Sequence, residues 1–328
     1  MTNATYPGDS FHVNMRGGSG SPQPLDSSLP PSLPEGLQWI HVQRRESRAA
    51  ELLASAGLDH LVREALLATE TRPRFLALGR GLLVVLRGVN LNQGEEPEDM
   101  VSLRLWLEPG RIITVQGRPM LALGDVLNLV EEGRGPHDVG SFLALVLRHV
   151  LNRLDPVLDE LTETGDGLED EVLNRPMPGL RRRVGMHRRQ CIQLRRHLAP
   201  MRELATALSL EEHELLESPV RRQLHESSDR LIRLVEDLDA LRERALVTHD
   251  ELAAGLGDRI NTTMFRLSLI AAVFLPLSLL TSLLGINVEG IPFAKRPWAF
   301  GAVCLLLVLA GGLGALLVKR RYWSRGKA

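Results

Sequence analysis

The sequence predicts an α+β cytoplasmic domain, a long stalk helix and two C-terminal transmembrane helices. Three observations carry that expectation. Leu267–Leu284 is an 18-residue run without a charged side chain, and Trp298–Val318 is a second of 21 residues. About 20 helical residues cross the roughly 30 Å hydrocarbon core of a bilayer. Residues 220–254 contain neither Gly nor Pro and repeat apolar residues at helical spacing, which gives the stalk. Residues 36–138 mix short apolar strand-like runs with turn residues, which gives the α/β part.

The elements follow in chain order. Residues 1–34 hold sixteen Gly, Pro and Ser, and 1–35 is therefore expected to be a disordered arm. In the α/β domain at 36–138, Trp39–Val42 reads as a strand, and Arg48–Leu67 as two short helices divided at Gly57. Strands are expected at Arg74–Leu78, Leu82–Val89, Val101–Leu107 and Arg111–Val115, with turns at Asn92-Gln93-Gly94 and Pro109-Gly110. No phosphate loop, dinucleotide fingerprint or nucleophile elbow occurs, so no enzymatic site and no permanently bound cofactor is expected. The formal net charge is −1, which names no partner and gives no reason to expect nucleic acid.

Residues 139–217 are the helical part of the cytoplasmic domain. Eight acids fall between Asp155 and Glu171, and seven arginines between Arg181 and Arg196. Helices of opposite sign pair as an antiparallel hairpin, with Gly165–Gly167 or Asn174–Gly179 as the turn. The acids then belong to an ion-paired face, or they attract cations toward a pore. Ser218-Pro219 opens the stalk, 218–261, as N-cap and first helical residue. Leu224, Leu231, Leu238, Ala245 and Leu252 recur every seven residues, a coiled-coil-like seam that expects partner helices. Neither a two-span hairpin nor a single rod encloses a pore, so a transporting assembly requires several copies.

The first span is placed at 262–284, the loop at 285–297, the second span at 298–318 and a basic tail at 319–328. Trp298 flanks one end of the second run, and Tyr322 and Trp323 the other, as aromatic rings do at membrane interfaces. Lys319, Arg320, Arg321, Arg325 and Lys327 put the tail in the cytoplasm by the positive-inside rule. Two crossings return the chain to its starting side, so both termini are expected there. Nothing apolar near residue 1 has the form of a signal peptide. Cys191 and Cys304 are expected to be free thiols. His187 and Cys191 share a helix face at i, i+4, but a third and fourth zinc ligand are not evident, so they read as a surface pair.

One helical stripe carries the functional expectation. With Met264 as origin and about 100° per residue, Asp250, Gly257, Asn261, Leu267, Ala271, Leu275, Ser278 and Ser282 fall within roughly 60° of one line. Gly285, Ile286, Asn287 and Glu289 follow in the loop. Around an axis, Asp250 would form a carboxylate ring that concentrates cations, and Met264 and Leu267 an apolar constriction. Ser278 and Ser282 would hydrogen-bond a hydrated ion, and the Asn287 carbonyl would meet metal-bound water. Ordinary helix packing explains the same spacing equally well.

The segment Asn261–Pro292, NTTMFRLSLIAAVFLPLSLLTSLLGINVEGIP, resembles the pore helix and signature loop of the CorA superfamily of divalent-metal transporters. Gly285-Ile286-Asn287 stands where that family carries Gly-Met-Asn. Without the methionine, and with Ser268-Leu269, Phe274-Leu275-Pro276, Leu280-Thr281 and Gly290-Ile291-Pro292, it is more similar to the ZntB-like zinc-transport branch. Glu289 and Leu284 depart from that branch; Glu289 is closer to the magnesium branch. The resemblance implies a funnel-shaped homopentamer in the bacterial inner membrane, in contact with lipid. The first span would line the pore and the second would form an outer ring. It places the filter on Asn287, which would hold metal through bound water, and the lower pore on Asp250, Asn261, Met264, Leu267, Leu275 and Ser278. The implied cargo is Zn2+, taken up passively or with protons. A Mg2+ or Co2+ channel of the same fold and a membrane-tethered scaffold without transport are the alternatives.

Overall fold

The computed structural model describes residues 10–25, 36–69, 71–174, 179–285 and 296–325. The chain divides into two compact units, residues 1–249 and 250–328. In the first, β1 (Phe11–Met15), β2 (Gln23–Pro24), β3 (Leu37–Gln43), β4 (Arg74–Leu78), β5 (Gly81–Gly88), β6 (Val101–Glu108) and β7 (Arg111–Gln116) form one sheet. Its order is β2-β1-β3-β7-β6-β5-β4. Only β3 and β7 pair in parallel, with Gln43 opposite Gln116 at their C-terminal ends. Around it lie α1 (Ala49–Ser55), α2 (His60–Leu67), α3 (Leu121–Glu131), α4 (Val139–Asn174), α5 (Leu180–Leu210) and the first part of α6 (Ser218–Leu284).

The central strands β3, β5, β6 and β7 are buried on both faces, which is why they read as continuous apolar runs rather than as a clean alternation. Ile40, Val42, Leu83, Trp106, Ile113 and Val115 pack in one core with α1 and α2. Their strand neighbours Trp39, Leu82, Val84, Leu105 and Ile112 pack in the other, with α3, α4, α5 and α6. On that second face Trp39 Nε1–H donates to Thr114 Oγ1 at 2.8 Å, and His41 Nδ1 lies 2.8 Å from the same hydroxyl. Complete burial drives the His41 pKa down to about 3, so the ring stays neutral. Phe11 and Phe142 meet the Trp39 ring edge-on, at 5.2 and 4.9 Å between centroids.

Residues 10–25 overturn part of the expected disordered arm. Phe11, Val13 and Met15 alternate into the main core, and β1 pairs antiparallel with β3 from Phe11↔His41 to Met15↔Leu37. Composition hid this. The Gly and Ser that suggest disorder include the turn Arg16-Gly17-Gly18-Ser19, whose glycines have φ 57° and 81°. Two positive-φ residues are what a tight hairpin needs. The helix α3 adds an element beyond those expected. Gly165 and Gly167 lie inside α4, which runs to Asn174, and α5 begins at Leu180; of the other expected turn, Asn174–Gly179, residues 175–178 lie outside the described residues.

Two expectations about the helices change. Leu224, Leu231, Leu234, Val235, Leu238 and Leu241 of the α6 seam belong to the core of their own chain. The seven-residue repeat correctly demands partner helices, but it does not say whose. Here α4 and α5 supply them. Arg230 pairs with Asp155, and Arg244 with Asp166 and Glu169 at 2.5 and 2.7 Å. Arg195 of α5 pairs with Asp239 at 2.5 Å. The acidic run is thus in part an ion-paired face. His187 and Cys191 are not on the surface: they are 3% and 0% exposed, with Nε2 and Sγ 3.9 Å apart. Burial lowers the His187 pKa and pushes the Cys191 thiol up to about 11, away from the thiolate that binds metal. Spacing put both on one face of α5, and the cover over that face came from elsewhere in the chain.

Placing a carboxylate in this seam leaves a buried charge without a partner, at a cost on the order of 4 kcal/mol. Leu238→Asp is therefore expected to unfold the first unit rather than to loosen contacts between intact copies. Circular dichroism of the purified variant should show a thermal midpoint lowered by at least about 10 °C. A well-folded variant that merely dissociates would return the seam to the interface between chains.

Candidate ion path

The second unit contains residues 250–284 of α6, the turn at Gly285, and α7 (Ala299–Arg325). The last charge before the apolar run is Arg266. Within α6, an 18-residue window meets the length and hydropathy required for a membrane span, and none of it is buried within the chain. α7 carries the second run without a charged side chain, which extends to Val318. A helix apolar on every side needs cover from lipid or from other helices. Its hydroxyls are partly satisfied internally: Thr281 Oγ1 donates to the carbonyls of Leu277 and Ser278, both at 2.9 Å. Thr263 does the same to Arg259 at 2.8 Å. Such back-bonding lets a hydroxyl sit in an apolar helix without an orphaned donor. At the end of α6 the Gly285 N–H donates to Thr281 at 3.0 Å and to Ser282 at 3.2 Å.

The stripe occupies one open face of this helix. Met264, Leu267 and Leu275 are 62%, 68% and 68% exposed. Asp250, Asn261, Ser278 and Ser282 are also exposed, while Gly257 and Ala271 are half-buried. α7 approaches a different face. A Cβ built at Gly314 would lie 3.5 Å from Val273, and one at Gly311 would lie 3.5 Å from Leu277. Val273 and Leu277 sit about 180° and 140° around the helix from Met264, at about 100° per residue. The glycines let α7 lie close on one side of α6 while the polar and apolar stripe faces the other. Sequence reading singled out the stripe but not Gly311 and Gly314. Their signal was available in the small-residue segment Ala310-Gly311-Gly312-Leu313-Gly314-Ala315 of the second span.

Of the expected mouth, Gly285 is described, and Ile286, Asn287 and Glu289 lie outside the described residues. So do the side chains of the basic tail. Among the described residues no group of three or more His, Cys, Asp or Glu is placed to hold a metal ion. The oxygen-bearing groups open on the stripe are the Asp250 carboxylate, the Asn261 amide and the Ser278 and Ser282 hydroxyls. These are hard ligands, suited to a cation that keeps much of its water.

Residues 34–320 match the family model described as CorA-like Mg2+ transporter protein. The divalent cation transporter CmaX of Pseudomonas aeruginosa is 37% identical over 301 residues, covering 90% of each chain. A zinc transport protein, ZntB of Pectobacterium carotovorum, is 35% identical over 286 residues, covering 87% of each. The solved structure of the full-length CmaX protein superposes with a TM-score of 0.82 at 34% identity, covering 95% of this chain and 97% of that one.

The close face between α6 and α7 gives a graded expectation. Gly314→Ala adds a methyl at ordinary contact distance from Val273 and should leave the detergent-solubilised protein as stable as the parent. Gly314→Phe cannot fit without separating the helices, and should lower the thermal midpoint and metal flux together. Equal stability for the Phe variant would show that α7 does not rest on Val273.

Proposed function

The chain belongs to the CorA family of divalent-cation transporters, and on that premise we propose that it carries zinc across the bacterial inner membrane through a pore formed by five copies. The supporting observation is the separation of faces on α6. One side takes α7, and the other presents Asp250, Asn261, Met264, Leu267, Leu275, Ser278 and Ser282 in one line. Copies arranged with α7 outward would turn that line toward a common axis. Within the span a line facing lipid needs no hydroxyls, so Ser278 and Ser282, in line with Asp250 and Asn261 below the span, favour an aqueous path.

The order of groups along the line suits a hydrated cation. Asp250 supplies a ring of negative charge that raises the local cation concentration at the cytoplasmic end. Met264 and Leu267 form an apolar collar that water leaves when it narrows, and this closes the path without a plug. Ser278 and Ser282 replace part of the hydrogen bonding that the hydration shell loses beyond the collar. Asn287, from the signature Gly285-Ile286-Asn287, offers a carbonyl to metal-bound water at the mouth. The relative named as a zinc transport protein and the missing methionine at Ile286 favour zinc. Glu289 favours magnesium as the second reading, because a carboxylate beside the mouth attracts a strongly hydrated ion. Both readings place the termini in the cytoplasm.

Flux measurements in proteoliposomes, with Zn2+ and Mg2+ compared and with and without a pH gradient, separate the two. Zinc entry above magnesium entry is expected, and the reverse result would select the magnesium reading. Asn287→Ala should reduce zinc flux at least tenfold while the assembly stays intact by native mass spectrometry. Unchanged flux in a correctly assembled variant would remove Asn287 from the path. Asp250→Asn should slow flux most at low ionic strength, where screening is weakest. If it transports like the parent at both low and high salt, the path begins nearer Asn261.

A further inference from the structure

The first unit contains a cluster of cations that transport does not use. Arg44 follows β3, Arg87 lies in β5, Arg104 lies in β6, and Gly117-Arg118 follows β7. These positions border a cavity of about 240 Å³, which Thr69 and Ser102 also line. Its lining includes no acidic residue among the described ones. It lies at the C-terminal ends of the parallel strands β3 and β7, the end of a sheet where α/β proteins commonly bind ligands.

Arg87 and Arg104 are held in place by backbone carbonyls. Arg104 is 2% exposed, and one Nη donates to the Ala68 carbonyl at 2.6 Å. Arg87 donates to the carbonyls of Met100 at 3.0 Å and Thr71 at 2.8 Å. The Nε–H groups of Arg44, Arg87 and Arg104 are all buried without a partner among the described residues. Among the described residues, Arg118 of this group pairs with an acid, Glu95 at 3.0 Å. Gly117 lets Arg44 come close, since a Cβ there would lie 3.1 Å from its Nη2. Burial first, then Arg44 and Arg87, bring the Arg104 pKa down to about 10. Arg104 is buried and Arg44 and Arg87 are half-buried beside it, and gathering like charges with unsatisfied Nε–H donors costs free energy that apolar side chains would not. A bound anion with many acceptor oxygens removes that cost.

We propose that this cavity is a binding site for a small phosphate-bearing polyanion of the diphosphate class, with Arg44, Arg87 and Arg104 as its charged ligands. A guanidinium donates in a planar fork that matches phosphate oxygens. Three such groups exceed what the two oxygens of one carboxylate can satisfy, whereas a diphosphate presents acceptors in several directions. Thr69 and Ser102 add hydroxyls at the same cavity. The cavity is lined by residues of the first unit alone. An arginine inside each of two apolar strands, LLVVLRG and VSLRLWLE, is the sequence signal that marks it.

The test is isothermal titration calorimetry of the full-length protein in detergent with pyrophosphate, at ionic strength held constant with chloride. Inorganic phosphate and citrate serve as comparison ligands. Saturable binding of pyrophosphate, tighter than phosphate or citrate, is expected. Arg44→Gln and Arg87→Gln should each weaken it at least tenfold while leaving the ligand-free thermal midpoint within a few degrees. They are chosen because Arg104→Gln can disturb the core. No saturable heat at millimolar pyrophosphate, a preference for citrate, or unchanged affinity in the Arg44→Gln/Arg87→Gln double variant would overturn the assignment. Glu70 lies outside the described residues and is one residue from Thr69, so Glu70→Gln is the control. Binding seen only in that variant would make the protein's own carboxylate the occupant and overturn the proposal.

Discussion

Burial of the leucine seam of α6 is the interaction on which the first unit depends. Leu224, Leu231, Val235 and Leu238 are at most 1% exposed and share one core with α4, α5 and the sheet. Removing that face would expose the apolar side of α4 and of the strands as well, because the cluster is continuous. The ion pairs of Arg230 and Arg244 with the acids of α4 lie around the seam. They are partly exposed pairs, each worth no more than about 1 kcal/mol, so they favour register more than they add stability. The hydrophobic contacts carry the energy, and the charges select which faces meet.

The same helix is built differently past Asp250. In the first unit its apolar residues form a stripe and its charges a complementary face. From Leu267 to Leu284 the charges disappear and apolar residues occupy every side. One helix thus carries two solvation patterns, one suited to a folded aqueous unit and one to lipid and to copies of itself. That change is visible in sequence because it is compositional. The α7 contact is less visible, because it depends on glycines that only matter where another helix approaches.

Legibility followed the physics of each element. Strands at 82–89, 101–107 and 111–115 were readable because both faces are buried, so the apolar runs are dense; 74–78 is a mostly exposed edge strand, legible from Phe75, Leu76 and Leu78 and from the Gly-bearing turn that follows. β1 was not, since three alternating apolar residues are a weak signal inside a Gly-, Pro- and Ser-rich stretch. Its stability comes from pairing with β3, a long-range ladder that no local pattern announces. The partner of the α6 seam and the burial of His187 and Cys191 share that origin: each depends on which other segment covers a face. The stripe from Asp250 to Ser282 was legible because a helical wheel needs only the sequence. Its direction relative to α7 needed the fold.

A path with oxygen ligands alone sets limits on how the proposed transporter can choose its metal. None of the ten histidines lies in either apolar run, and neither does a carboxylate. A dehydrated zinc ion would need nitrogen or sulfur ligands to replace its water, whereas hydroxyl, amide and carbonyl oxygens can act through the hydration shell. Ligands of that kind separate divalent ions weakly by affinity. Discrimination on this reading rests on the width of the apolar collar at Met264 and Leu267 relative to a hydrated ion, and on the field at the mouth. In the proposed path, Ile286 and Glu289 would act on those two quantities in opposite ways. A branched apolar side chain narrows and dries the mouth, and a carboxylate wets it and draws cations in. On the proposed reading, the balance between Ile286 and Glu289, rather than a coordination site, would decide which metal passes.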